Sequence, residues 1–123
     1  LDGFKVVNDT LWHGVGDQVL TAVAHRMCAT VRAQDVVARW GGDELLILLP
    51  STAPEGAHLA AEKLRAAFES TSLVVDAHET RLTVSVGVSV IDGSLSIREV
   101  IHRADTALYQ AKAGGRNCVV MAS

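Results

Sequence analysis

Arg39-Trp40-Gly41-Gly42-Asp43-Glu44-Leu45, running on into Leu46-Ile47-Leu48-Leu49, is the stretch around which the rest of the chain is organised. Two apolar, β-like runs, Val36 to Trp40 and Leu45 to Leu49, flank a pair of glycines. Paired glycines take the positive φ values of a tight two-residue turn, so the stretch predicts a β-hairpin turning at Gly41-Gly42. Two acids follow at once, at the tip or on the first residues leaving it. Neighbouring strand side chains point to opposite faces, so Asp43 and Glu44 need not act together, but a tight turn keeps both near one exposed edge. Glycine lets a ligand reach bare backbone, and carboxylates are the hard oxygen ligands that Mg²⁺ prefers. A polyphosphate with its metal suits such a turn. So does a solvated hairpin whose acids discourage edge-to-edge pairing, and Gly-Gly-Asp-Glu alone does not decide.

Upstream of the hairpin, Val19, Val23, Met27 and Val31 recur at spacings of four, with Leu20 and Ala24 beside them. They predict an amphipathic helix from Asp17 to near Arg32. Asp17 stands at its start, where a carboxylate caps orphan amides and suits the helix dipole. Before it, Leu1 to Val7 reads as the tail of a strand, Asn8-Asp9-Thr10 as a break, and Trp12-His13-Gly14-Val15-Gly16-Asp17 as a glycine-punctuated loop.

Downstream, Pro50 ends the second strand and Thr52-Ala53-Pro54-Glu55 reads as a capping box with an early proline. The helix it opens shows Ala57, Ala60, Ala61, Leu64, Ala67 and Phe68 on one face. Leu73 to Val75 is a short strand, turned by His78 to Thr80. Leu82, Val84, Val86, Val88 and Val90 alternate strictly with Thr83, Ser85, Gly87 and Ser89, the pattern of a half-buried strand. Ser96-Ile97-Arg98-Glu99 is a second capping box; its helix has Ile97, Val100, Ile101, Ala104, Leu108 and Ala111 inside, and Gly114-Gly115 stops it. Cys118 to Met121 is a last strand. Interleaved helices and strands with at least two hairpins predict an α/β (α+β) domain, a mixed, largely antiparallel sheet with packed helices.

With 123 residues the chain is one domain, and 49% hydrophobic with 20% charged residues is ordinary for a folded protein. A net charge of −3 argues against a nucleic-acid partner or an anionic membrane, so an anionic ligand needs a few placed cations. No apolar run approaches the roughly 20 residues that span a bilayer, and no signal-peptide pattern is present. Cys28 and Cys118 read as small buried hydrophobes of a reducing compartment rather than a disulfide. The expected location is the cytoplasm, compatible with a membrane-anchored parent. The chain opens on Leu1-Asp2-Gly3-Phe4-Lys5 without a methionine, as if cut from a longer protein.

The hairpin has company. Asp-Gly-Phe-Lys-x-x-Asn-Asp over 2–9, Gly16-Asp17, Gly41-Gly42-Asp43-Glu44, and Asp105-x-Ala-Leu-Tyr-x-Ala-Lys-x-x-Gly-Arg-Asn117 stand in order. Together, from Leu1 to Asn117, they resemble the GGDEF family of diguanylate cyclases. Any one of these motifs is weak; four in the family's order and spacing are specific. The resemblance implies a nucleotidyl cyclase or polymerase-palm-like fold over residues 1–123, lacking the start of its first strand and the helices ahead of it. It implies condensation of two GTP into cyclic di-GMP with release of pyrophosphate, Mg²⁺ (or Mn²⁺) as cofactor, a homodimer for catalysis, and a sensory or regulatory domain ahead of this one.

The same resemblance assigns roles. Asp43 is the metal-binding carboxylate and favoured general base, Glu44 supports the metal or the incoming hydroxyl, and Leu1 offers a backbone carbonyl to the metal. Asp17 matches the acid that takes the donor edge of guanine, Asn8 the amide that helps read the base, and His13 lies in the same loop. Lys5, Lys112 and Arg116 match the cations that hold the triphosphate; at a helix C-terminus Lys112 and Arg116 also suit the dipole. Arg32 and Asp35, the latter separated from Gly41 by five residues, match an inhibitory cyclic di-GMP site, with Lys63 as a second cation; otherwise they form a surface ion pair worth little. Tyr109 is assigned to packing. Leu45 replaces the family's usual Phe, Trp12 a usual Gly, and the family's first metal-binding Asp falls just before Leu1. The fragment alone is therefore open to being inactive. A degenerate domain that binds cyclic di-GMP or GTP and signals to a partner is the alternative, and a purely structural dimerisation module a remoter one.

Overall fold

A computed structural model describes residues 1–2, 15–75 and 77–123. In chain order these form α1 (Val15–Thr30), β1 (Val36–Gly41), β2 (Glu44–Leu48), α2 (Pro54–Ser70), β3 (Leu73–Val75), β4 (His78–Thr80), β5 (Val86–Val88), α3 (Ile97–Ala113) and β6 (Val119–Met121). The strands pair as three two-stranded ladders, β1 with β2 and β3 with β4 antiparallel, β5 with β6 parallel. The pairing is mixed and mostly antiparallel, as the pattern predicts, but divided among three ladders rather than continuous in one sheet. Its parallel pair is joined through α3, the long crossover that parallel strands require.

The core joins one face of α1 (Val19, Val23, Met27) to Leu64 and Phe68 of α2, to Leu73 and Val75 of β3, and to Leu82 and Val84. Burying such side chains contributes about 1.5–3 kcal/mol each. Arg26 lies 5.6 Å from the Phe68 ring centre and donates to the carbonyls of Thr71 (2.7 Å) and Ser72 (3.0 Å), which pins α1 to the end of α2. Gly87 is where β5 meets α3. A Cβ there would stand 2.2 Å from the Ala104 carbonyl oxygen and 2.3 Å from the Leu108 nitrogen, so only glycine permits this approach.

Several local expectations are corrected. The hairpin turns one residue later than the glycine pair suggests: Gly41 pairs with Glu44, and Gly42, at φ +32, shares the loop with Asp43. Thr52 does not cap α2. The N-cap is Ala53, with no side-chain bond, because the Thr52 hydroxyl accepts from Arg32 (2.6 Å) and donates to the Pro50 carbonyl (2.9 Å). The early proline is as expected, and at the second box the Ser96 hydroxyl accepts from the Glu99 amide at 3.2 Å. Ile97, at the first turn of α3, is 60% exposed, while Ala107 is buried in its stead. His78 to Thr80 pairs with β3 as a strand, and the turn between them falls at Ala77, at φ +65. Of the alternating run 82–90, only 86–88 is laddered, with an isolated bridge from Thr83 to Asp2. Alternation records burial, whereas a ladder needs a neighbour. Cys28 is exposed, one position round the helix from buried Met27, and Cys118 is half-buried; both are free thiols. Among the described residues no helix is long and apolar enough to cross a membrane.

Candidate active site

The turn is built by backbone and one side chain. Arg39, on β1, reaches over it, and its Nε and one terminal nitrogen donate to the Gly42 carbonyl at 3.1 and 2.9 Å. Asp43 is left at the tip and Glu44 on the first residue of β2, both half-buried. The Leu1 nitrogen donates to the Asp43 carbonyl at 3.2 Å, so Leu1 meets the turn. Residues far apart in sequence thus meet at one turn. Beside it opens a cleft of about 740 Å³, where Leu1, Glu44, Asp105 and Lys112 stand among apolar side chains of β2, β5 and α3.

Asp2 is the residue that sequence reasoning passed over. Its side chain is buried and accepts from the hydroxyls of Ser85 (2.7 Å) and Thr83 (2.8 Å) and from the backbone amide of Asn117 (3.0 Å). Burial pushes the carboxyl up, but the bonds from Ser85, Asn117 and Thr83 outweigh it and hold the pKa below the ordinary value. The available signal was the pair of hydroxyls on the polar side of the alternating run, which an acid on an adjacent strand would find. Asn117 closes the turn after α3. Its side-chain amide donates to Glu69, its side-chain oxygen accepts from Arg65 at 3.2 Å, and Arg65 is also paired with Glu62 and Glu69 at 3.1 Å each.

The other expected site residues divide. Leu1, Asp43, Glu44 and Lys112 come together as described. Arg116 is exposed on the turn after α3, four residues from half-buried Lys112. Asp17 lies exposed in the first turn of α1. Lys5, Asn8 and His13 lie outside the described residues, as does Trp12. Arg32 and Asp35 do pair, at 3.0 Å, and the Asp35 side chain is only 2% exposed. Arg32 also donates to the Pro50 carbonyl (3.1 Å) and the Thr52 hydroxyl (2.6 Å). Hydrogen bonding from the Arg32 side chain, aided by its backbone amide, holds the Asp35 carboxyl below the ordinary range against the opposing effect of burial. Lys63 is exposed on α2. Leu45 packs against the core, so its departure from the family pattern is one of packing. Tyr109 is 74% exposed; the packing role expected of it is not observed, because it falls on the outer face of α3.

Among the described residues no three His, Cys, Asp or Glu side chains gather into a metal cage. Asp43, Glu44 and the Leu1 carbonyl are oxygen donors. A partial set of this kind fits Mg²⁺, which takes one or two carboxylates, keeps several waters and completes its shell on substrate phosphates.

A family model described as "Diguanylate cyclase, GGDEF domain" matches residues 1–118. The bifunctional diguanylate cyclase/cyclic di-GMP phosphodiesterase MucR of Pseudomonas aeruginosa is 44% identical over 118 residues, 95% of this chain and 17% of that protein. Diguanylate cyclase A of Treponema denticola is 38% identical over 122 residues, 98% of this chain and 33% of that protein. The chain therefore spans at most about a third of these curated relatives. Among solved structures, the diguanylate cyclase SiaD of Pseudomonas aeruginosa, in complex with its activator SiaC, superposes with a TM-score of 0.90 at 38% identity over 98% of this chain and 46% of that one. The GGDEF domain of DgcB from Caulobacter crescentus, in complex with c-di-GMP, gives 0.88 at 35% identity over 98% of this chain and 72% of that one.

Proposed function

We propose, given that the chain belongs to the GGDEF family of diguanylate cyclases, that it condenses two GTP into cyclic di-GMP. The observation that carries this reading is the glycine turn itself, where Leu1 is bonded to Asp43 while Glu44 and Lys112 line the cleft beside it. Each step would form a bond between a ribose 3′-oxygen and an α-phosphorus and break the bond from that phosphorus to pyrophosphate. The hydroxyl proton passes to a carboxylate, for which Asp43 at the turn tip is the acceptor. Asp43, Glu44 and the Leu1 carbonyl would hold Mg²⁺ or Mn²⁺, which supplies charge neutralisation at the phosphates. Lys112 and Arg116, with Lys5, grip the triphosphate; Asp17 and Asn8 read guanine, with His13 in their loop. Each chain brings one GTP, so two chains facing each other about a two-fold axis complete the reaction. The domain, residues 1–123, would work in the cytoplasm under a regulatory segment of a longer protein.

Arg32, Asp35 and Lys63 form the proposed product-binding site. Arg32 is already occupied by Asp35, Pro50 and Thr52, so product has to displace part of that set. This ready-made pair also favours the second reading, a domain that binds cyclic di-GMP without making it.

The test is incubation of the protein at its full encoded length with GTP and Mg²⁺. Cyclic product and pyrophosphate should appear together, and Asp43→Asn should lower kcat by about a hundredfold or more, the scale of a lost general base. Pyrophosphate without cyclic product, or an unimpaired Asp43→Asn, overturns the enzyme reading.

A further inference from the structure

The turn that follows α3 is held in a conformation the chain would not adopt unaided. Gly115, Arg116 and Asn117 have φ of +117, +64 and +48 in succession, and two of them carry a Cβ. A left-handed residue other than glycine costs about 1 kcal/mol or more. What maintains it is a set of bonds from three directions. The Arg116 amide donates to the Ala111 carbonyl at 3.0 Å, closing the turn on its own helix. The Asn117 amide is fastened to buried Asp2, next to Leu1. The Asn117 side chain is gripped by Glu69 and Arg65 of α2. None of Asp2, Arg65, Glu69 or Asn117 has a part in the chemistry proposed above, yet Arg116 stands within the turn they hold and Lys112 on the helix end just before it.

We infer that Asn117, locked between Asp2, Arg65 and Glu69, is a positioning residue that sets where Lys112 and Arg116 meet the triphosphate. The inference rests on the assignment of those two cations to GTP. Cations on long, flexible stems bind phosphate well only when their backbone is fixed beforehand. Asp2 ties that backbone to the residue beside the carboxylate turn, so phosphate grip and carboxylates keep one spacing. A bond to α2 alone would leave the turn free to move with that helix. The lock acts on the turn that carries the triphosphate cations, so its loss is expected at the phosphates rather than at guanine, which separates it from a general contribution to stability.

The experiment uses the protein at its full encoded length and the variants Asn117→Gly, Glu69→Ala and Glu69→Gln. Glycine takes φ +48 freely and keeps the amide that Asp2 binds, so Asn117→Gly removes only the side-chain ties. KM for GTP should rise about tenfold with kcat within about threefold, the loss of a charge-assisted tie to a binding group. Glu69→Ala should raise KM in the same direction, and Glu69→Gln, which keeps an acceptor for the Asn117 amide, should recover most of it. By calorimetry, affinity for GTP should fall in Asn117→Gly while affinity for GMP stays at the wild-type value. Equal losses for GTP and GMP, or no change in either, overturn the inference. If the wild type binds GTP but makes no cyclic product, the enzyme reading fails and the GTP-to-GMP comparison still decides this one. If the wild type binds no GTP, both are wrong.

Discussion

The guanidinium of Arg32 is shared among Asp35, Pro50 and Thr52, and the Asp35 carboxylate accepts two bonds from it and one from the Arg32 backbone amide. The Asp35 carboxyl is depressed in the folded chain, so its pairing stabilises the fold above the unfolded carboxyl value and is lost as pH falls through the folded one. In Arg32→Ala, the NMR titration midpoint of the Asp35 carboxyl should move up toward the ordinary value, and the acid limb of stability should flatten over the same window. A midpoint that stays put would mean that the guanidinium is not what holds it down. Spacing made this pair legible, because Arg-x-x-Asp after a helix is a local feature. Asp2 is the opposite case: its partners lie 81, 83 and 115 residues away, and no pattern along the chain reports such a meeting.

Among elements, the contact of β5 with α3 is the least forgiving. Glycine at 87 lies in a run otherwise read from its valines, and the run's alternation says nothing of a helix backbone within reach of the missing Cβ. Gly87→Ala should destabilise the fold by about 3 kcal/mol or more, since the neighbours are backbone atoms that cannot rotate aside. Urea or thermal unfolding checks this; a Tm within about 2 °C of wild type would show that the strand and helix simply separate. The helices were legible for the complementary reason: a row of apolar residues every three to four positions is a property of one segment. Where local reading failed, at Thr52, Arg32 from the connection between α1 and β1 had taken the hydroxyl. The hairpin was read correctly as a hairpin and one residue early at its turn, because the pairing of Gly41 with Glu44 is decided by the two strands rather than by the glycines.

For the whole molecule, the proposed reaction, with one GTP brought by each chain, requires that two chains meet. At fixed GTP, the initial rate should then fall more steeply than protein concentration on dilution, with a logarithmic slope approaching about two below the dimer dissociation constant. A slope of one throughout would place both nucleotides on one chain. The order and type of the main elements, the hairpin and its acids, and the four spaced motifs were all determined by the amino-acid sequence, because each is written within a turn or two of chain. Tertiary structure alone decided that the Leu1 nitrogen is bonded to the Asp43 carbonyl, that Asp2 fastens the turn at Asn117, and that β5 and β6 run parallel beneath α3. Those depend on which distant segments pack together, and burial, which drives that packing, carries no address along the chain.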